Sequence, residues 1–344
     1  MPEITYSEAI NAALREEMKR DATVFLIGED IAQHGGAFGV TRGIYKEFGA
    51  GRVINTPISE AAITGAAVGA ALAGTRPVME IMYMDFITLG MSQIVNQMAK
   101  MRYMFGGKAI VPVVVRTPAG GGRGNAAQHM QSLEAWFVHV PGLKVVMPST
   151  PYDAKGLLKS AIRSDDPVIF VENKLLYATR GEVPEEEYLV PFGKAKVLRK
   201  GDDTTIVATS YMSNLAMTAA DNLSAQGVNA EVIDPRTLEP LDIDTIVESV
   251  RKTGHLLVVD EDTERCGVGA EIGAQVMEAA FEALKGPVRR IGNPNLPIPY
   301  SPPLEKAVLP SVERIESVVQ EMVSRRSPGR AGPVLGTDPG DSHR

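Results

Sequence analysis

The chain has 344 residues, of which 44% are hydrophobic and 22% are charged, and its formal net charge is -7. This length and composition indicate a globular protein of two or three domains, and the acidic balance argues against nucleic acid as a main partner. The single cysteine, Cys266, excludes an internal disulfide framework, and no apolar run approaches the roughly 20 residues that span a membrane. Because the start of the chain resembles neither a secretory signal nor a transit peptide, we expect a cytoplasmic protein unless a presequence has been removed.

Strand-like apolar runs alternate with helical patterns over the first half of the chain. In order, the predicted elements are helix 7–20, strand 24–27, strand 77–83, helix 86–103, strand 111–115, strand 143–147, helix 152–164 and strand 168–171. Pro112 indicates either the start of its strand or a local break in pairing. The alternation predicts an α/β protein with a parallel sheet that is covered on both faces.

Residues 177–198 interrupt this alternation with an acidic, proline-containing stretch, which we interpret as a surface linker. The pattern then resumes with predicted strands 203–208, 229–233, 255–259 and 288–291 and predicted helices 214–226, 243–251 and 270–284. We therefore predict a first domain over 1–180, a linker over 181–200 and a second, smaller α/β domain over 201–325. Residues 326–344 are rich in Gly, Pro and polar residues, and this composition predicts a flexible tail.

Glu60 is the first candidate functional residue, because it closes the segment NTPISE (55–60) and opens a run of small residues over 61–74. The apolar residues 52–54, the turn at Pro57 and the helical pattern that follows place this carboxylate near the N-terminus of a buried helix. A carboxylate there complements the helix dipole, which is worth about 0.3–1 kcal/mol, or serves a ligand. Position alone favours the first role.

The helix predicted over 61–74 has a second feature, since Gly65, Gly69 and Ala73 recur every four residues. On a helix they form one smooth face that another backbone can approach closely, as in the small-residue faces known from membrane helices. This run is too short to span a membrane. The pattern leaves two alternatives open, a tightly packed core helix and a helix pair across a subunit interface.

Two glycine-rich segments suggest ligand binding. Residues 267–273 (GVGAEIG) follow a predicted strand, but the six residues between strand and first glycine, and the late third glycine, weaken a dinucleotide interpretation. Residues 120–129 (GGGRGNAAQH), which we call the glycine-rich loop, follow strand 111–115 at the edge where α/β proteins bind ligands. This loop is either a phosphate cradle without the usual Lys-Ser/Thr ending or an ordinary loop. His129 at its end is a candidate acid–base group, although a lone loop histidine is more often structural.

Five motifs together resemble one family, the β subunit of the thiamine-diphosphate-dependent 2-oxo acid dehydrogenase component of the pyruvate and acetoin dehydrogenase type. The motifs are NTPISE (55–60), EIMYMDF (80–86), AAQH (126–129), HVPGLKVV (139–146) and DAKGLL (153–158). The resemblance extends from about residue 5 to about residue 323. It implies a pyrimidine-binding, transketolase-like domain followed by a smaller transketolase C-terminal-like domain.

The resemblance also implies roles for individual residues. Glu60 matches the carboxylate that hydrogen-bonds the aminopyrimidine ring of thiamine diphosphate. When it holds or shares a proton, it favours the imino form of the ring, which removes the proton of the thiazolium carbon. Met82, Phe86 and Ile58 match positions that line the pyrimidine pocket. His129 matches a histidine that assists proton movements or acyl transfer to the lipoyl group.

The resemblance further suggests a structural potassium ion held mainly by backbone carbonyls. The matching positions are Val113, Ala161, Ile162, Ser164 and Asp166. Carbonyl ligands tolerate changes of side chain, so the sequence tests this expectation poorly.

No Gly-Asp-Gly sequence occurs in the chain, whereas family α subunits use that motif to bind the diphosphate through magnesium. The resemblance therefore implies that this chain holds only the pyrimidine half of the cofactor. It implies an α2β2 heterotetramer with each active site between an α and a β subunit. By resemblance, the smaller domain docks the lipoyl acyltransferase core of the complex.

The leading hypothesis is oxidative decarboxylation of a 2-oxo acid, pyruvate in the first instance, with acyl transfer to lipoamide. Acetoin cleavage by the same machinery is the alternative, because residues 119–124 (AGGGRG) resemble acetoin-type β subunits. A branched-chain 2-oxo acid is a more distant alternative. Two hypotheses of other classes are a non-catalytic scaffold subunit, which the presence of Glu60 and His129 argues against, and a nicotinamide-dependent dehydrogenase resting on residues 267–273 alone.

Overall fold

The computed structural model describes residues 1–324. Its strands in chain order are β1 (Glu3–Thr5), β2 (Val24–Glu29), β3 (Val53–Thr56), β4 (Arg76–Glu80), β5 (Val114–Ala119), β6 (Lys144–Val146), β7 (Val168–Asn173), β8 (Arg180–Glu182), β9 (Lys196–Arg199), β10 (Thr204–Ala208), β11 (Ala230–Asp234), β12 (Thr237–Glu239), β13 (Leu256–Thr263) and β14 (Arg289–Asn293). Its α-helices are α1 (Tyr6–Arg20), α2 (Ile44–Phe48), α3 (Glu60–Leu72), α4 (Met101–Met104), α5 (Glu134–Val138), α6 (Pro151–Arg163), α7 (Tyr211–Ala225), α8 (Ile243–Thr253), α9 (Val268–Ala280), α10 (Pro302–Val308) and α11 (Val312–Ser324).

The larger sheet has seven strands in the order β12-β6-β7-β5-β4-β2-β3. All neighbouring strands from β6 to β3 are parallel, and only β12 is antiparallel, on β6. Because the carboxyl ends of parallel strands meet at one edge, the segments that follow β2, β3, β4 and β5 lie along the same edge of this sheet. That edge is where doubly wound α/β proteins bind ligands.

Local sequence explains how the larger sheet is covered. Helix α1 starts at a capping box in which Thr5 and Glu8 exchange hydrogen bonds, and helix α6 starts at Thr150, whose hydroxyl accepts from the N–H of Asp153. The two helices pack on each other, and Arg163 of α6 pairs with the buried Glu17 of α1 at 2.7 Å. Strands β5 and β7 are buried at every position, as expected for strands covered on both faces.

The smaller sheet has five strands in the order β14-β13-β10-β11-β9, with β9 antiparallel and the others parallel. Helices α7 and α11 pack on one of its faces. On the other face, one hydrophobic cluster runs from Met79 and Ile169 of the larger sheet to Val207 and Val258 of the smaller sheet. The two sheets therefore share a core, and β12 carries the second half of the chain into the edge of the first sheet.

The glycines of 267–273 serve packing. Helix α9 begins at Val268 with Gly267 as its N-cap, and a Cβ added at Gly269 would lie 3.3 Å from Val258 Cγ1. A Cβ added at Gly273 would lie 3.4 Å from Val288 Cγ1. These glycines let α9 lie close on its own sheet, which leaves the nicotinamide hypothesis without its one supporting feature.

The methionine-rich helix predicted over 86–103 is interrupted in the structure. A 3₁₀ helix runs over Met84–Gly90, a π-helix over Gln93–Met98, and a single α-helical turn, α4, follows. The first of these segments packs closely on α3, since a Cβ added at Gly90 would lie 2.5 Å from Thr64 Oγ1. Helical periodicity did not reveal this contact or the 3₁₀ and π segments that replace the regular helix.

The segment predicted as a linker contains two short strands at its ends. Strand β8 pairs with β1, and β9 joins the smaller sheet. The division into 1–180, 181–200 and 201–325 stays a prediction. The tail predicted over 326–344 lies outside the described residues. Within residues 1–324, every helix is too short or too polar to cross a membrane.

Candidate active site

Glu60 opens helix α3 directly after the turn that leaves β3. The residue is only 7% exposed, and among residues 1–324 its carboxylate accepts no hydrogen bond. Ser59 caps the helix through its backbone and makes no side-chain cap. A carboxylate at this position complements the helix dipole, and its oxygens, which still reach solvent, are available to a partner from outside the chain.

Glu29 stands beside Glu60 and was not among the residues that the sequence suggested. It ends strand β2, is 5% exposed, and its Oε1 accepts the N–H of Ser59 at 3.2 Å. Burial raises the pKa of Glu29, and the nearby charge of Glu60 adds to that effect against the opposing bond from Ser59. Since β2 and β3 are parallel and Glu29 pairs with Thr56, the common strand edge was a signal that could have found it.

His129 lies in an aromatic box. Its ring stands edge-to-face against Tyr83, with centroids 5.0 Å apart, and against Phe86, with centroids 5.2 Å apart. Its backbone carbonyl accepts a hydrogen bond from the ammonium of Lys174, which is fully buried and lies 5.3 Å from the centroid of Tyr83. Rings on the side chain and a lysine on the backbone together fix the imidazole at the strand edge.

Lys174 itself is an unusual buried cation. Burial lowers its pKa to about 8, and the surrounding charges of Asp85 and Glu261 only partly oppose that shift. It directly follows β7, and no local pattern connects it with His129, which lies 45 positions earlier.

Four of the residues that the resemblance suggested share one edge of the larger sheet. Glu60, Met82, Phe86 and His129 all follow the carboxyl ends of β3, β4 or β5 and so lie along one edge of the larger sheet. Phe86 and His129 are in contact, and Met82 is half-buried. Ile58 is 81% exposed on this chain. A partner chain that covers this edge would bury it.

The glycine-rich loop is closed to phosphate in this structure. The N–H of Gly121 donates to Glu261, and the N–H of Gly122 donates to Glu305 at 2.7 Å. Both carboxylates come from the half of the chain that holds the smaller sheet. The N–H groups that a phosphate would need therefore already donate to carboxylates of the same chain.

The five carbonyls suggested for potassium all accept hydrogen bonds. The Arg76 guanidinium donates to the carbonyls of Ile162 at 3.1 Å and Ser164 at 2.9 Å. The other three bonds are Val168 N–H to Val113 at 2.9 Å, Ser164 N–H to Ala161 at 3.2 Å and Ser164 Oγ to Asp166 at 3.0 Å. Each carbonyl keeps a second lone pair, but the Arg76 cation already occupies two of the five, and potassium stays a prediction.

Over the described residues 1–324, no three His, Cys, Asp or Glu side chains converge in a way that could hold a metal ion.

The small-residue face of α3 points away from the core. Gly65 and Gly69 are exposed, and no heavy atom lies within 4 Å of a Cβ added at Gly69. The opposite face, with Ile63 and Ala67, is buried. The pattern left open a core helix and a helix at a subunit interface. The structure has the Ile63 and Ala67 side of α3 in the core and leaves the glycine side exposed, so a neighbouring subunit could still pack on it.

Fold and site together describe a two-domain α/β protein with a buried acid and an aromatic-boxed histidine at a parallel-sheet edge. The chain belongs to the transketolase-like family of β subunits of thiamine-diphosphate-dependent 2-oxo acid dehydrogenase components. Residues 2–180 match the family model "Transketolase, pyrimidine binding domain", and residues 193–315 match "Transketolase, C-terminal domain".

Three curated relatives show the breadth of this family. The chain is 48% identical to the acetoin:2,6-dichlorophenolindophenol oxidoreductase subunit beta of Bacillus subtilis, covering 93% of this chain and 97% of the relative. It is 47% identical to the pyruvate dehydrogenase E1 component subunit beta of Rickettsia bellii, covering 93% and 98%. It is 44% identical to the 2-oxoisovalerate dehydrogenase subunit beta of Bacillus subtilis, covering 94% and 99%.

A solved structure supports the fold. A split-gene transketolase, described as an inactive beta4 tetramer, superposes with a TM-score of 0.77 over 93% of this chain and 98% of that chain. At 23% sequence identity, this similarity concerns the fold alone.

Proposed function

We propose that this chain is the β subunit of a thiamine-diphosphate-dependent 2-oxo acid dehydrogenase component that acts on pyruvate. With an α subunit it would carry out oxidative decarboxylation and transfer the acyl group to lipoamide. The observation that carries the proposal is Glu60, a carboxylate that is 7% exposed and has no hydrogen-bond donor among residues 1–324. It lies in the matched pyrimidine-binding domain, at the edge that also holds His129.

Thiamine diphosphate, when bound, supplies a nucleophilic carbon and an electron sink for decarboxylation. Glu60 would hold or share a proton at a nitrogen of the aminopyrimidine ring, and the N-terminus of α3 fixes its direction. Glu29 supports this geometry, because its Oε1 holds the N–H of Ser59 just ahead of the helix. Met82 and Phe86 would pack against the ring, and Ile58 would do so once a partner chain covers it.

His129 would move a proton at the substrate oxygen or assist acyl transfer to the lipoyl group. Tyr83 and Phe86 restrict the rotation of its imidazole, and Lys174 fixes its backbone. A general acid or base that is positioned in this way contributes typically about 10²–10⁴-fold to a rate.

An α subunit would complete the site. The chain lacks the Gly-Asp-Gly motif that binds the diphosphate through magnesium in family α subunits. Ile58, at 81% exposure, and the open glycine face of α3 are surfaces that such an assembly would cover. We propose an α2β2 heterotetramer, with the C-terminal domain docking the lipoyl acyltransferase core.

Acetoin is the alternative substrate. Relatives named for acetoin, at 48% and 49% identity, stand beside those named for pyruvate at 45% and 47%. The loop sequence AGGGRG (119–124) also resembles acetoin-type subunits. Identity at this level does not separate the substrates, because the α subunit contributes part of the substrate pocket.

The test is a substrate panel on the chain co-expressed with its α subunit. The kcat/KM values for pyruvate, a branched 2-oxo acid and acetoin would be measured with lipoamide and with an artificial electron acceptor. We expect turnover only when both chains are present and the highest kcat/KM for pyruvate. A higher kcat/KM for acetoin would replace the substrate assignment, and no turnover of all three by an assembled complex would contradict the proposed function.

A further inference from the structure

The glycine-rich loop is held by two carboxylates from the C-terminal domain. Glu305 Oε1 accepts the N–H of Gly122 at 2.7 Å, and Glu305 Oε2 accepts the N–H of Gly124 at 3.2 Å. Glu261 Oε1 accepts the N–H of Gly121. Hydrogen bonds from N–H groups to carboxylates are charge-assisted and stronger than neutral ones.

The backbone of the loop is shaped to receive these carboxylates. Gly120, Gly122 and Gly124 have φ values of +88°, +87° and +66°, which alternate with residues of negative φ. Alternation of this kind turns successive N–H groups toward one side and forms a concave anion site. A Cβ added at Gly120 would lie 2.5 Å from Asn173 Nδ2 and 2.9 Å from Glu261 Oε2, so the close approach requires glycine.

Both carboxylates are buried in this contact. Glu261 is 3% exposed and Glu305 is 5% exposed. Glu261 is also held from its other side, because its Oε2 accepts from Asn173 Nδ2 at 2.6 Å. Burial of a carboxylate without a bonding partner is strongly unfavourable, so the loop and the two acids stabilise each other.

The held loop leads directly to His129, five positions after Gly124. The same anchor reaches the histidine by a second route. Asn173, which bonds Glu261, is followed by Lys174, which donates to the carbonyl of His129. The glycine-rich loop and Lys174 thus both reach His129, and Glu261 binds both the loop and Asn173, the residue before Lys174.

We propose that Glu261 and Glu305 are positioning residues through which the C-terminal domain sets the placement of His129, an inference that rests on the proposed function of that histidine. Neither acid hydrogen-bonds Glu60 or His129, the two residues assigned to the reaction. They act by closing the glycine-rich loop, so the domain that docks partners also holds a reacting group of the other domain.

The first experiment measures hydrogen–deuterium exchange of peptides covering 120–131 in the full-length chain, and it does not depend on enzymatic activity. Glu305→Asp keeps the charge but withdraws the carboxylate by one methylene group, and Glu305→Ala removes it. Glu282→Asp and Glu282→Ala are matched controls, because Glu282 is an exposed acid of the same domain. We expect exchange in this peptide to rise about tenfold or more in both Glu305 variants and to stay at the parent rate in the controls.

The second experiment uses the complex assembled with the α subunit and compares two rates for each variant. We expect Glu305→Asp to lower kcat with lipoamide about tenfold or more while KM for the 2-oxo acid changes less than about twofold, because a displaced general acid affects the reaction more than binding. Parent-level exchange in Glu305→Asp would contradict the proposal that Glu305 holds the glycine-rich loop. Raised exchange with parent-level kcat in an active complex would overturn the positioning role. If the parent complex has no activity, the proposed function fails, and the exchange result still decides whether Glu305 holds the glycine-rich loop.

Discussion

Arg116 makes buried ion pairs with two carboxylates of the larger sheet. Its guanidinium bonds Glu172 through Nε at 2.7 Å and Nη2 at 2.9 Å, and bonds Glu80 through Nη1 at 2.7 Å. Arg116 is 2% exposed, and Tyr177 donates its hydroxyl to Glu172 at 2.7 Å. The network spans β4, β5 and β7 directly beneath the edge that holds the site.

Replacing Arg116 with methionine leaves Glu80 and Glu172 buried without a countercharge. Breaking a buried pair by removing one partner costs about 3–5 kcal/mol. With a melting shift of about 2–4 °C per kcal/mol for a domain of this size, we expect Arg116→Met to lower the melting midpoint at pH 7 by about 6–20 °C.

The control is Arg116→Lys, which keeps the charge but loses the two-pronged bond to Glu172, and we expect a smaller decrease. Calorimetric or fluorescence melting curves measure both variants. Burial raises the pKa of Glu80, so this carboxylate becomes neutral as the pH falls, and the difference in melting midpoint between Arg116→Met and the parent is expected to narrow. A midpoint within about 2 °C of the parent at pH 7 would refute this reasoning.

Three further predictions concern the site and its surroundings. Glu134 is fully buried with both oxygens unpartnered; burial and the neighbouring Asp262 raise its pKa, and burial raises the pKa of Asp262 to about 8. The folded state therefore keeps protons that the unfolded chain releases, so the free energy of unfolding decreases as the pH rises from about 4 toward 8. We expect the urea midpoint to decrease less steeply with pH in Glu134→Gln than in the parent. A parent-like dependence of the midpoint on pH would contradict this. Gly120→Ala places a Cβ against Asn173 at a φ of +88° and should lower the free energy of unfolding by about 1–3 kcal/mol. Thermal unfolding measures this decrease, and Gly286→Ala, where an added Cβ meets open space, is the control. His129→Ala should reduce lipoamide-linked turnover about 10²–10⁴-fold with little change in melting midpoint, and the reverse pattern would assign His129 a structural role.

The alternation of strands and helices predicted the larger parallel sheet, because covered parallel strands require continuous apolar runs. Strand β5 starts at Val114, two positions after Pro112, in agreement with the expected start or break. The carboxylate of Glu60 was placed correctly at the start of a helix, since the turn at Pro57 and the small-residue run are local signals. Its ligand was suggested by resemblance alone.

Contacts between distant residues could not be predicted in the same way. Glu261 lies 140 positions from the glycine that it binds, and Glu305 lies 183 positions from Gly122. Periodicity describes which face of an element is buried, and it carries no information about which buried acid meets which loop. Lys174 was missed for the same reason, because its role depends on the aromatic box around His129. The contact of Gly90 with Thr64, in the segment where the helix predicted over 86–103 is interrupted, was likewise not visible in the periodicity.

The central claim is that Glu60 acts on the cofactor ring by holding or sharing a proton. The most direct measurement is the turnover of the assembled α and β chains carrying Glu60→Gln, with size-exclusion chromatography verifying the assembly. Glutamine keeps the size and the hydrogen-bonding capacity of Glu60 but cannot transfer the proton. The account predicts a loss of turnover of about 10²–10⁴-fold in an intact complex. Parent-level turnover in an intact complex would contradict it.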